Sequence, residues 1–293
     1  MNNPLVSILV PVYGVENFIE RCAVSLFEQT YDNIEYIFVD DCGPDNSIDI
    51  LKKVIHRYPS REQNVHIIRH EHNKGLAGSR NTAVAHAQGE FLMHVDSDDY
   101  LDITAVEKCM LKQVENNADI VSFGCKVLWP AYIEIYLSPD FKSSKDMTLK
   151  LLGRETIIAI WARLIRTSLY KNHDIKVIEG YNMAEDYQVA PRLAYYANKV
   201  ATIKDLLYFY DKRNETAITN SFSEKNEKMI YFAIDQLVSF FKDKGQEYLD
   251  AAYKAKASAC ARSLIYICKT GGHEDYYNKI RKEIGLLDKK YIS

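Results

Sequence analysis

Four carboxylates are crowded into the stretch FLMHVDSDDYLD, which runs from Phe91 to Asp102. Asp96, Asp98, Asp99 and Asp102 directly follow an apolar run. Carboxylates this close repel one another, so a bound cation would relieve the repulsion. Magnesium and manganese ions prefer oxygen ligands and commonly bind one or two carboxylates together with waters and substrate phosphates. The cluster therefore predicts a divalent cation and, through it, a diphosphate; a solvated acidic turn before the next helix is the alternative.

Two other polar segments could contact a nucleotide. In DDCGPD (Asp40–Asp45), two acids end an apolar run, and a carboxylate there could accept a hydrogen bond from a base or ribose. Ordinary turn chemistry is the alternative for this segment. In HNKGLAGSRN (His72–Asn81), Gly75 and Gly78 would allow close backbone approach. Arg80 would lie in the first turn of a helix, where an anion also feels the helix N-terminus; an exposed arginine in a loop is the alternative.

Two later segments supply a candidate base and candidate cations. Glu185 and Asp186 begin a predicted helix, where the helix dipole stabilises acidic side chains. Either carboxylate could instead act as a general base toward a hydroxyl nucleophile. Lys212 and Arg213 follow an apolar strand and could clamp a diphosphate, or they could simply be solvated.

A parallel sheet would bring most of these segments to one edge. Apolar runs of strand length are separated by helical patterns, and the runs are Val6–Val12, Glu35–Asp40, Val65–His70, Glu90–Val95 and Asp119–Leu128. This alternation predicts a doubly wound, mostly parallel α/β sheet with helices on both faces. Polar residues follow the first four strands, namely Tyr13, Asp40 and Asp41, His72 and Asn73, and Asp96 to Asp99. Because such sheets bind ligands at the carboxyl ends of their strands, we expect a single site there.

The remaining elements are predicted from local patterns. Thr104 with Glu107 three residues later has the spacing of a helix capping box. Ala184–Ala197 is predicted to be helical, with Pro191 in its first turns. KVATI and LLYFYDKR are predicted to be two strands, and amphipathic helices follow from Glu224 onward.

Composition excludes several classes of protein. With 293 residues, 47% of them apolar, the chain can bury a large core, and its net charge of −3 gives no general attraction to nucleic acid. None of the six cysteines forms a C-x-x-C pair, so free thiols are expected rather than a zinc site. No signal peptide and no apolar run of about 18 residues is present, so a cytoplasmic location is expected.

Taken in order, these segments resemble glycosyltransferase family 2, which has the nucleotide-sugar-binding GT-A fold. The resemblance rests on VSILVPVYGVENFIERCAVSLFEQTYDNIEYIFVDD, on NKGLAGSRNTAVAHAQGEFLMHVDSDD, and on EGYNMAEDYQ followed by YFYDKRNETAIT. It covers roughly residues 4–220. It implies a catalytic domain over residues 1–221, with a donor half (1–127) and an acceptor half (128–221), followed by a helical extension over residues 222–293.

The resemblance also implies roles for individual residues. The implied nucleotide-binding residues are Pro11, Val12, Tyr13, Asp40, Asp41, Arg80, Asp96 and Arg213. Asp98 is the implied direct ligand of Mn²⁺ or Mg²⁺, with Asp96 and Asp99 as further metal candidates. Asp186 is the implied catalytic base, and Trp161 and Glu185 are implied to lie near the acceptor.

Three positions depart from the family pattern. Gly14 stands where the family usually has Asn, Cys42-Gly43 stands where Gly-Ser is usual, and Asp211 stands where Arg is frequent. The last change leaves Arg213 as the remaining match and weakens an expected diphosphate clamp.

The implied activity is inverting transfer of a sugar from a nucleotide-sugar donor, with a UDP-sugar expected, to a hydroxyl of a glycan or lipid-linked saccharide. Such acceptors would place the enzyme in polysaccharide biosynthesis, with peripheral association at the cytoplasmic membrane face. A non-catalytic nucleotide-sugar-binding protein is one alternative, although all the carboxylates are retained. A sugar nucleotidyltransferase is another, but that chemistry normally presents a basic, glycine-rich loop where this sequence has the acidic VYGVENFIE.

Overall fold

The apolar runs of the first half form neighbouring strands of one sheet. The computed structural model describes residues 3–214, 223–270 and 274–291. Its strands are β1 (Val6–Val12), β2 (Ile34–Asp40), β3 (Val65–Arg69), β4 (Phe91–His94), β5 (Tyr100–Leu101), β6 (Ile120–Leu128), β7 (Ile133–Tyr136), β8 (Arg163–Arg166) and β9 (Val200–Asp211). Its helices are α1 (Ile19–Phe27), α2 (Ser47–Ile55), α3 (Pro59–Glu62), α4 (Gly75–His86), α5 (Ala105–Asn116), α6 (Ser144–Leu152), α7 (Thr167–Lys171), α8 (Glu185–Tyr196), α9 (Glu224–Phe241), α10 (Gln246–Thr270) and α11 (Glu274–Gly285).

The strand order is β3-β2-β1-β4-β8-β6-β9-β5, with β7 paired to β6. β1 runs parallel to both β2 and β4, and β2 runs parallel to β3. Every residue of β1 and β2 is buried, as expected for central parallel strands covered on both faces. Because β2 and β4 lie on opposite sides of β1, the strand order reverses at β1, and ligands of such sheets bind at this point.

The second half makes the sheet mixed rather than mostly parallel. β8 is antiparallel to β4 and β6, β7 is antiparallel to β6, and β5 is antiparallel to β9, whereas β6 and β9 are parallel. The prediction of an α/β GT-A fold is confirmed, but these antiparallel strands were not foreseen. Three of them are only two to four residues long, and antiparallel strands need no long helical crossover.

Helices cover both faces of the sheet, as predicted. Alternate residues of a strand point to opposite faces. Ile8 and Val10 belong to a core cluster with residues of α1, α2 and α5, whereas Leu9 belongs to a second cluster with residues of α4, α6 and α8. The helices α4 and α8, whose N-termini carry candidate site residues, therefore lie on the same face.

The C-terminal helices pack against the rest of the protein. Residues of α9, α10 and α11 form a third core cluster, which includes Leu152 of α6 and Tyr187 of α8. This confirms the predicted helical C-terminal region. The predicted domain boundary between residues 221 and 222 lies outside the described residues. Among the described helices, none combines the length and apolar content needed to cross a bilayer.

Two predicted helix starts differ from the structure. Helix α4 begins at Gly75, so Arg80 lies in its second turn rather than in the predicted first turn, because a carboxylate distant in sequence caps the helix, as described below. No capping box forms at Thr104: its hydroxyl donates to Asp102, 2.5 Å away, and Glu107 accepts from the Thr30 hydroxyl instead.

Two further predictions are corrected in the second half. Pro191 lies in the interior of α8 rather than in its first turns. The segments KVATI and LLYFYDKR belong to one continuous strand, β9, whose register against β6 shifts on either side of Gly124. Such a shift inserts extra residues into one strand without ending it. The inserted residues interrupt the strand pattern of the sequence, so the sequence predicts two strands where the structure has one.

Candidate active site

A cavity of about 540 Å³ opens where the strand order reverses. Six of the predicted site residues line it, namely Pro11, Val12, Tyr13, Asp41, Asp96 and Asp98. These residues come from the ends of β1, β2 and β4. The structure therefore brings the central predicted residues together at the sheet edge where ligand binding was expected.

Asp41 is buried and fixes the start of α4. Its Oδ1 accepts hydrogen bonds from the Lys74 amide and from His70 Nδ1, both at 2.7 Å, and its Oδ2 accepts from the Gly75 amide at 2.8 Å. Two of the otherwise unpaired N–H groups at the helix start are thus satisfied by a residue at the end of β2. The helix begins at the cavity because Asp41 holds it there.

Tyr13 lines the cavity, whereas Asp40 does not. Tyr13 is 52% exposed and lines the cavity, so a face of its ring is available to a planar ligand. Asp40 lies outside the cavity lining; its Oδ1 accepts from the Cys42 amide and its Oδ2 lies 3.5 Å from Arg69 Nε. Of the two acids that end β2, only Asp41 reaches the cavity.

Asn182 is a site residue that the sequence did not reveal. Its Oδ1 accepts a hydrogen bond from the Ala77 amide at 3.1 Å, so it caps α4 from the second half of the chain. Gly75, with φ +75°, lies against it: a Cβ at Gly75 would come within 2.4 Å of Asn182 Nδ2. Both residues line the cavity. Gly75 therefore meets two requirements at once, a left-handed backbone and close approach of a side chain.

Ser79 is a second residue that the sequence did not reveal. It lies on α4, lines the cavity and is 1% exposed. Its hydroxyl has no hydrogen-bond partner within the described part of the chain. A buried hydroxyl without a partner is costly, so it is available to a ligand.

The acid loop, residues 96–99, is tied to β9 through Asp99. Asp99 is fully buried; its Oδ2 accepts from the Tyr208 hydroxyl and its Oδ1 from the Asp211 amide, both at 2.7 Å. The Tyr208 hydroxyl in turn accepts from the Asp96 amide at 3.1 Å. Burial, reinforced by Asp98 and Asp96, raises the pKa of Asp99 well above its usual range. Asp99 lies outside the cavity lining, so the geometry does not support its expected role as a metal ligand.

Asp98 faces the cavity. Its Oδ2 accepts from Asn214 Nδ2 at 2.8 Å, and its main-chain carbonyl accepts from Arg21 at 2.8 Å. Burial and then Asp96 raise the pKa of its carboxyl. The described residues contain no cluster of three metal-binding side chains. Asp98 and Asp96 nevertheless present two carboxylates to one cavity, which is the number that Mg²⁺ or Mn²⁺ commonly uses when substrate phosphates and waters complete its shell.

Arg80 joins the acid loop to α8. It is 2% exposed, and its Nη2 lies 3.0 Å from Asp96 Oδ1, 3.3 Å from Glu185 Oε1 and 3.5 Å from Asp186 Oδ1. Burial alone would lower the pKa of Arg80, but Asp96, Asp186 and Glu185 raise it overall. Arg80 does not line the cavity. It lies behind Asp96 and brings that carboxylate and the adjacent pair Glu185 and Asp186, about 90 residues later in the chain, to one cation.

The acids at the start of α8 are not equivalent. Glu185 is 6% exposed and also contacts Arg80 Nε, whereas Asp186 is less buried. Asp186 Oδ1 has no hydrogen-bond partner within the described residues, its contact with Arg80 being a longer ion pair. Burial raises the pKa of both carboxyls. Neither acid lines the cavity, but a raised pKa makes the Asp186 carboxylate a better proton acceptor, so Asp186 is the candidate general base.

Ala184 forms the turn that leads into helix α8 and its two acids, Glu185 and Asp186. It precedes α8 with φ +61°, a left-handed conformation that L-residues with a Cβ rarely adopt. The turn therefore places strain of about 1–2 kcal/mol at Ala184, two residues before the candidate base Asp186.

Trp161 does not offer a free face to an acceptor. It is 7% exposed, it stacks on Tyr208 with ring centroids 4.1 Å apart, and it also contacts Tyr210. Its contribution to the site is therefore support for Tyr208, which holds the acid loop.

Arg213 is engaged by Asp211. Its Nη2 lies 2.6 Å from Asp211 Oδ2, and Arg21 Nη1 lies 2.7 Å from the same oxygen. Burial opposes ionisation, but the hydrogen bonds from Arg213 and Arg21 lower the pKa of Asp211 to about 2. Arg213 does not line the cavity, so the geometry does not support a diphosphate clamp at this position.

Comparison with known proteins identifies the family. Residues 7–152 match the family described as Glycosyl transferase family 2. The uncharacterized glycosyltransferase EpsJ of Bacillus subtilis (strain 168) is 30% identical to this chain, over 91% of this chain and 75% of EpsJ. The chain belongs to glycosyltransferase family 2. This family 2 glycosyltransferase is thus a transferase that takes its sugar from a nucleotide-sugar donor.

Structural neighbours of the family 2 glycosyltransferase agree on the fold. TarS of Staphylococcus aureus (strain Mu50 / ATCC 700699), a poly(ribitol-phosphate) beta-N-acetylglucosaminyltransferase, is 27% identical over 71% of this chain and 36% of TarS. The crystal structure of S. aureus TarS 1–349 in complex with UDP has a TM-score of 0.72 at 20% identity, covering 92% of this chain and 76% of that one. The mannosyltransferase PcManGT of Pyrobaculum calidifontis has a TM-score of 0.61 at 16% identity, covering 99% of this chain and 83% of that one.

Proposed function

We propose that the protein is an inverting glycosyltransferase that transfers a sugar from a UDP-sugar to a hydroxyl of a glycan or lipid-linked saccharide, in polysaccharide biosynthesis. One observation carries this proposal: Arg80 Nη2 lies 3.0 Å from Asp96 at the cavity and 3.5 Å from Asp186. The candidate base is thereby held next to the residues proposed to bind the donor. Peripheral association with the cytoplasmic membrane face follows from a lipid-linked acceptor.

The donor half supports binding of a nucleoside diphosphate. The exposed ring of Tyr13 offers a stacking surface for the base. Among the described residues, Asp41 Oδ2 receives a single hydrogen bond, from the Gly75 amide, so it can accept another from the N3–H of uracil. Crystal structures of TarS contain UDP or UDP-GlcNAc, and a structure of PcManGT is a complex with GDP-Man and Mn²⁺. These neighbours support a nucleotide sugar as donor, and the TarS complexes are the ground for proposing a UDP-sugar.

A divalent cation, Mn²⁺ or Mg²⁺, would be held by Asp98 with Asp96 beside it. When bound, such a cation stabilises the negative charge that develops on a departing diphosphate. Asp99 and Asn214 would position the metal-binding carboxylates rather than bind the cation. Asp99 fixes the acid loop to β9, and Asn214 orients the Asp98 carboxylate.

Asp186 is the proposed general base. It accepts the proton of the acceptor hydroxyl while that oxygen forms a bond to the anomeric carbon of the sugar. The bond between that carbon and the diphosphate oxygen breaks on the opposite side, so the nucleoside diphosphate leaves and the anomeric configuration inverts. A positioned base typically contributes about 10²–10⁴-fold to the rate. Arg80 orients Asp186 and offsets the charge of Asp96 nearby.

A donor screen tests the reaction. Release of nucleoside diphosphate is measured for a set of nucleotide sugars, with and without oligosaccharide acceptors, and NMR gives the anomeric configuration of the product. We expect one UDP-sugar to give the highest release, acceptor to accelerate it, and the product to have the opposite configuration. A product of retained configuration would exclude Asp186 as the base of a single displacement, and the absence of release with every donor would contradict transfer.

Titration calorimetry tests the cation site. Asp98→Asn keeps the size of the side chain and removes its charge, so UDP binding should lose its dependence on Mn²⁺. Asp102→Asn is the matched control, because Asp102 belongs to the same acidic cluster but its Oδ1 accepts from the amide and hydroxyl of Thr104. Equal Mn²⁺ dependence in the parent and in Asp98→Asn would show that Asp98 is not the ligand.

A further inference from the structure

The densest apolar surface of the described protein lies on residues 129–137, which comprise the turn after β6, the strand β7 and Leu137, and which are called the hairpin below. Five large apolar side chains within six residues are 41–61% exposed, and they are Tyr132, Ile133, Ile135, Tyr136 and Leu137. Elsewhere in the described ranges, no stretch of six residues contains more than two exposed large apolar side chains. Scattered exposed apolar residues are normal, but a contiguous group marks an interaction surface.

The hairpin lacks the charges that usually protect an exposed strand. In the described part of the chain, β7 pairs with β6 alone, and its residues are exposed on both faces. Glu134 is its only charged residue, and the Glu134 carboxylate accepts hydrogen bonds from Trp129 Nε1 at 3.1 Å and from the Tyr136 hydroxyl at 2.5 Å. Edge strands in contact with water normally carry lysines or prolines that prevent association, and β7 itself has neither, since Pro130 lies in the turn before it. The composition of this hairpin therefore indicates a partner.

The hairpin and its surroundings contain the three kinds of side chain that interact with a bilayer surface: aliphatic, aromatic and cationic. Ile133 and Ile135 are aliphatic, whereas Trp129 and the tyrosines have rings with polar tips, the type of side chain enriched at membrane–water interfaces. Two cations lie at the base of the hairpin. Lys126 is opposite Ile135 in the strand register, and Lys212 Nζ lies 5.8 Å from the ring of Trp129. Apolar side chains beside lysines complement an anionic bilayer, into which they insert while the lysines approach the head groups.

The hairpin adjoins the mouth of the cavity. The Lys212 amide donates to the Leu128 carbonyl at 3.0 Å, which joins the end of β9 to the start of the hairpin. Tyr210, two residues before Lys212, lines the cavity. A surface that held the hairpin would therefore lie next to the site.

We propose that residues 129–137 dock the enzyme on an anionic lipid bilayer by inserting into its interfacial layer. This inference deepens the proposed function, since it identifies the surface that brings the site to a lipid-linked acceptor. It rests on the proposed function only for the nature of the acceptor. Docking itself requires neither donor nor turnover, so it can be measured separately.

Vesicle sedimentation tests the proposal. The full chain is mixed with vesicles of phosphatidylcholine containing phosphatidylglycerol, and with vesicles of phosphatidylcholine alone. The hairpin variant carries Ile133→Ser and Ile135→Ser. The control variant carries Ile265→Ser and Leu286→Ser, which remove two equally exposed apolar side chains from the C-terminal region. We expect the apparent affinity for anionic vesicles to fall about tenfold or more in the hairpin variant and by less than about twofold in the control.

Two readouts separate docking from catalysis and from self-association. UDP binding should be unchanged in both variants, so a failure of docking leaves the proposed function intact. The sequence has two tryptophans, and Trp161 is buried. Emission of Trp129 should therefore shift to shorter wavelength on anionic vesicles, and Trp129→Phe should abolish the shift.

Three results would overturn the proposal. The parent protein could remain in the supernatant with anionic vesicles, or the control variant could lose binding as much as the hairpin variant. Light scattering could also show that the hairpin substitutions convert a dimer to a monomer while vesicle binding is unchanged, which would assign the hairpin to a second copy of the chain. Equal binding to neutral and anionic vesicles would refute the role of the lysines.

Discussion

The Tyr208 hydroxyl lies 2.7 Å from Asp99 Oδ2, and it connects the fully buried Asp99 to the strand β9. The same hydroxyl accepts from the Asp96 amide, so one side chain fixes both ends of the acid loop. Because Trp161 stacks on the ring of Tyr208, the position of this hydroxyl is set by packing as well as by hydrogen bonds.

Tyr208→Phe should weaken both the fold and the site. Removing the hydroxyl leaves the Asp99 carboxyl buried with one donor fewer, at a cost of about 1–3 kcal/mol in the free energy of unfolding. UDP affinity should also fall, because the Asp96 amide loses its partner. Urea denaturation and calorimetry measure the two effects. Tyr231→Phe is the control: it removes a hydroxyl bonded to Ser263 among the C-terminal helices and should leave UDP affinity unchanged.

The two acids at the start of α8 should differ in their effects. Asp186→Asn should lower turnover about 10²-fold or more while UDP affinity stays within about threefold, because a base that acts on the acceptor contributes little to donor binding. Glu185→Gln weakens the buried contact with Arg80, so it should lower UDP affinity through Asp96 and have the smaller effect on turnover. Turnover at saturating donor and acceptor decides the assignment. A larger loss in Glu185→Gln would exchange the two roles.

Activity should have an acidic limb set by Asp186. Burial and Asp96 raise the pKa of Asp186, while Arg80 and Arg163 oppose this shift. The ionised carboxylate is the active form. The value of kcat/KM should therefore be at its plateau above the raised pKa of Asp186 and should fall as the pH decreases through that pKa. The midpoint should lie above the ordinary aspartate value of about 3.9. The rate is measured from neutral pH downward, and the stability of the protein is checked at each pH. Activity that stayed unchanged down to the ordinary pKa of aspartate would contradict the assignment of the acidic limb to Asp186.

Ser79 should contribute to nucleotide binding. Ser79 lines the cavity, and its buried hydroxyl has no partner among the residues that the structure describes, so Ser79→Ala should reduce UDP affinity by about 0.5–1.5 kcal/mol, the usual net contribution of a hydrogen bond. Ser122→Ala is a matched control, because Ser122 in β6 is equally buried and unpartnered within the described residues but lies outside the cavity lining. Calorimetry with UDP would exclude a contact to Ser79 if both variants bound equally well.

Ala184→Gly should stabilise the protein. The native φ of +61° strains alanine but not glycine, so the substitution should raise the free energy of unfolding by up to about 1 kcal/mol, reduced by the greater freedom of glycine in the unfolded chain. Ala190→Gly, in the interior of α8, should instead destabilise by about 1 kcal/mol. Denaturant titration of the two variants compares them directly. Destabilisation in both would show that Ala184 is not strained.

The strand ends of the donor half could be predicted because their strands are buried along their length. β1 and β2 appear in the sequence as largely apolar runs, interrupted only by Ser7 and Glu35 before their ends, so the position of Tyr13 and Asp41 after them is visible without a structure. β5 and β8 have two and four residues, too few to show a periodicity. Their antiparallel pairing, and hence the mixed sheet, has no local signal.

Which acid of the cluster faces the cavity could not be predicted from the sequence. Asp98 and Asp99 are adjacent and chemically identical, yet one faces the cavity and the other is bound by Tyr208 and Asp211. Which of them reaches the ligand depends on partners more than 100 residues away. The pairing of Arg213 with Asp211 is different, because the two residues are only two positions apart and the contact is local.

Asn182 also determines when the site can form during synthesis. The Ala77 amide that it caps lies 105 residues earlier, and the partner of the Asp98 carboxylate, Asn214, lies 116 residues after it. Contacts at such separations form late, since the intervening chain must be ordered first. Before Asn182 and Asn214 are in place, the first half of the chain therefore lacks two of the groups that complete the cavity. We expect the nascent chain to reach its full affinity for the nucleotide only after these later residues have docked.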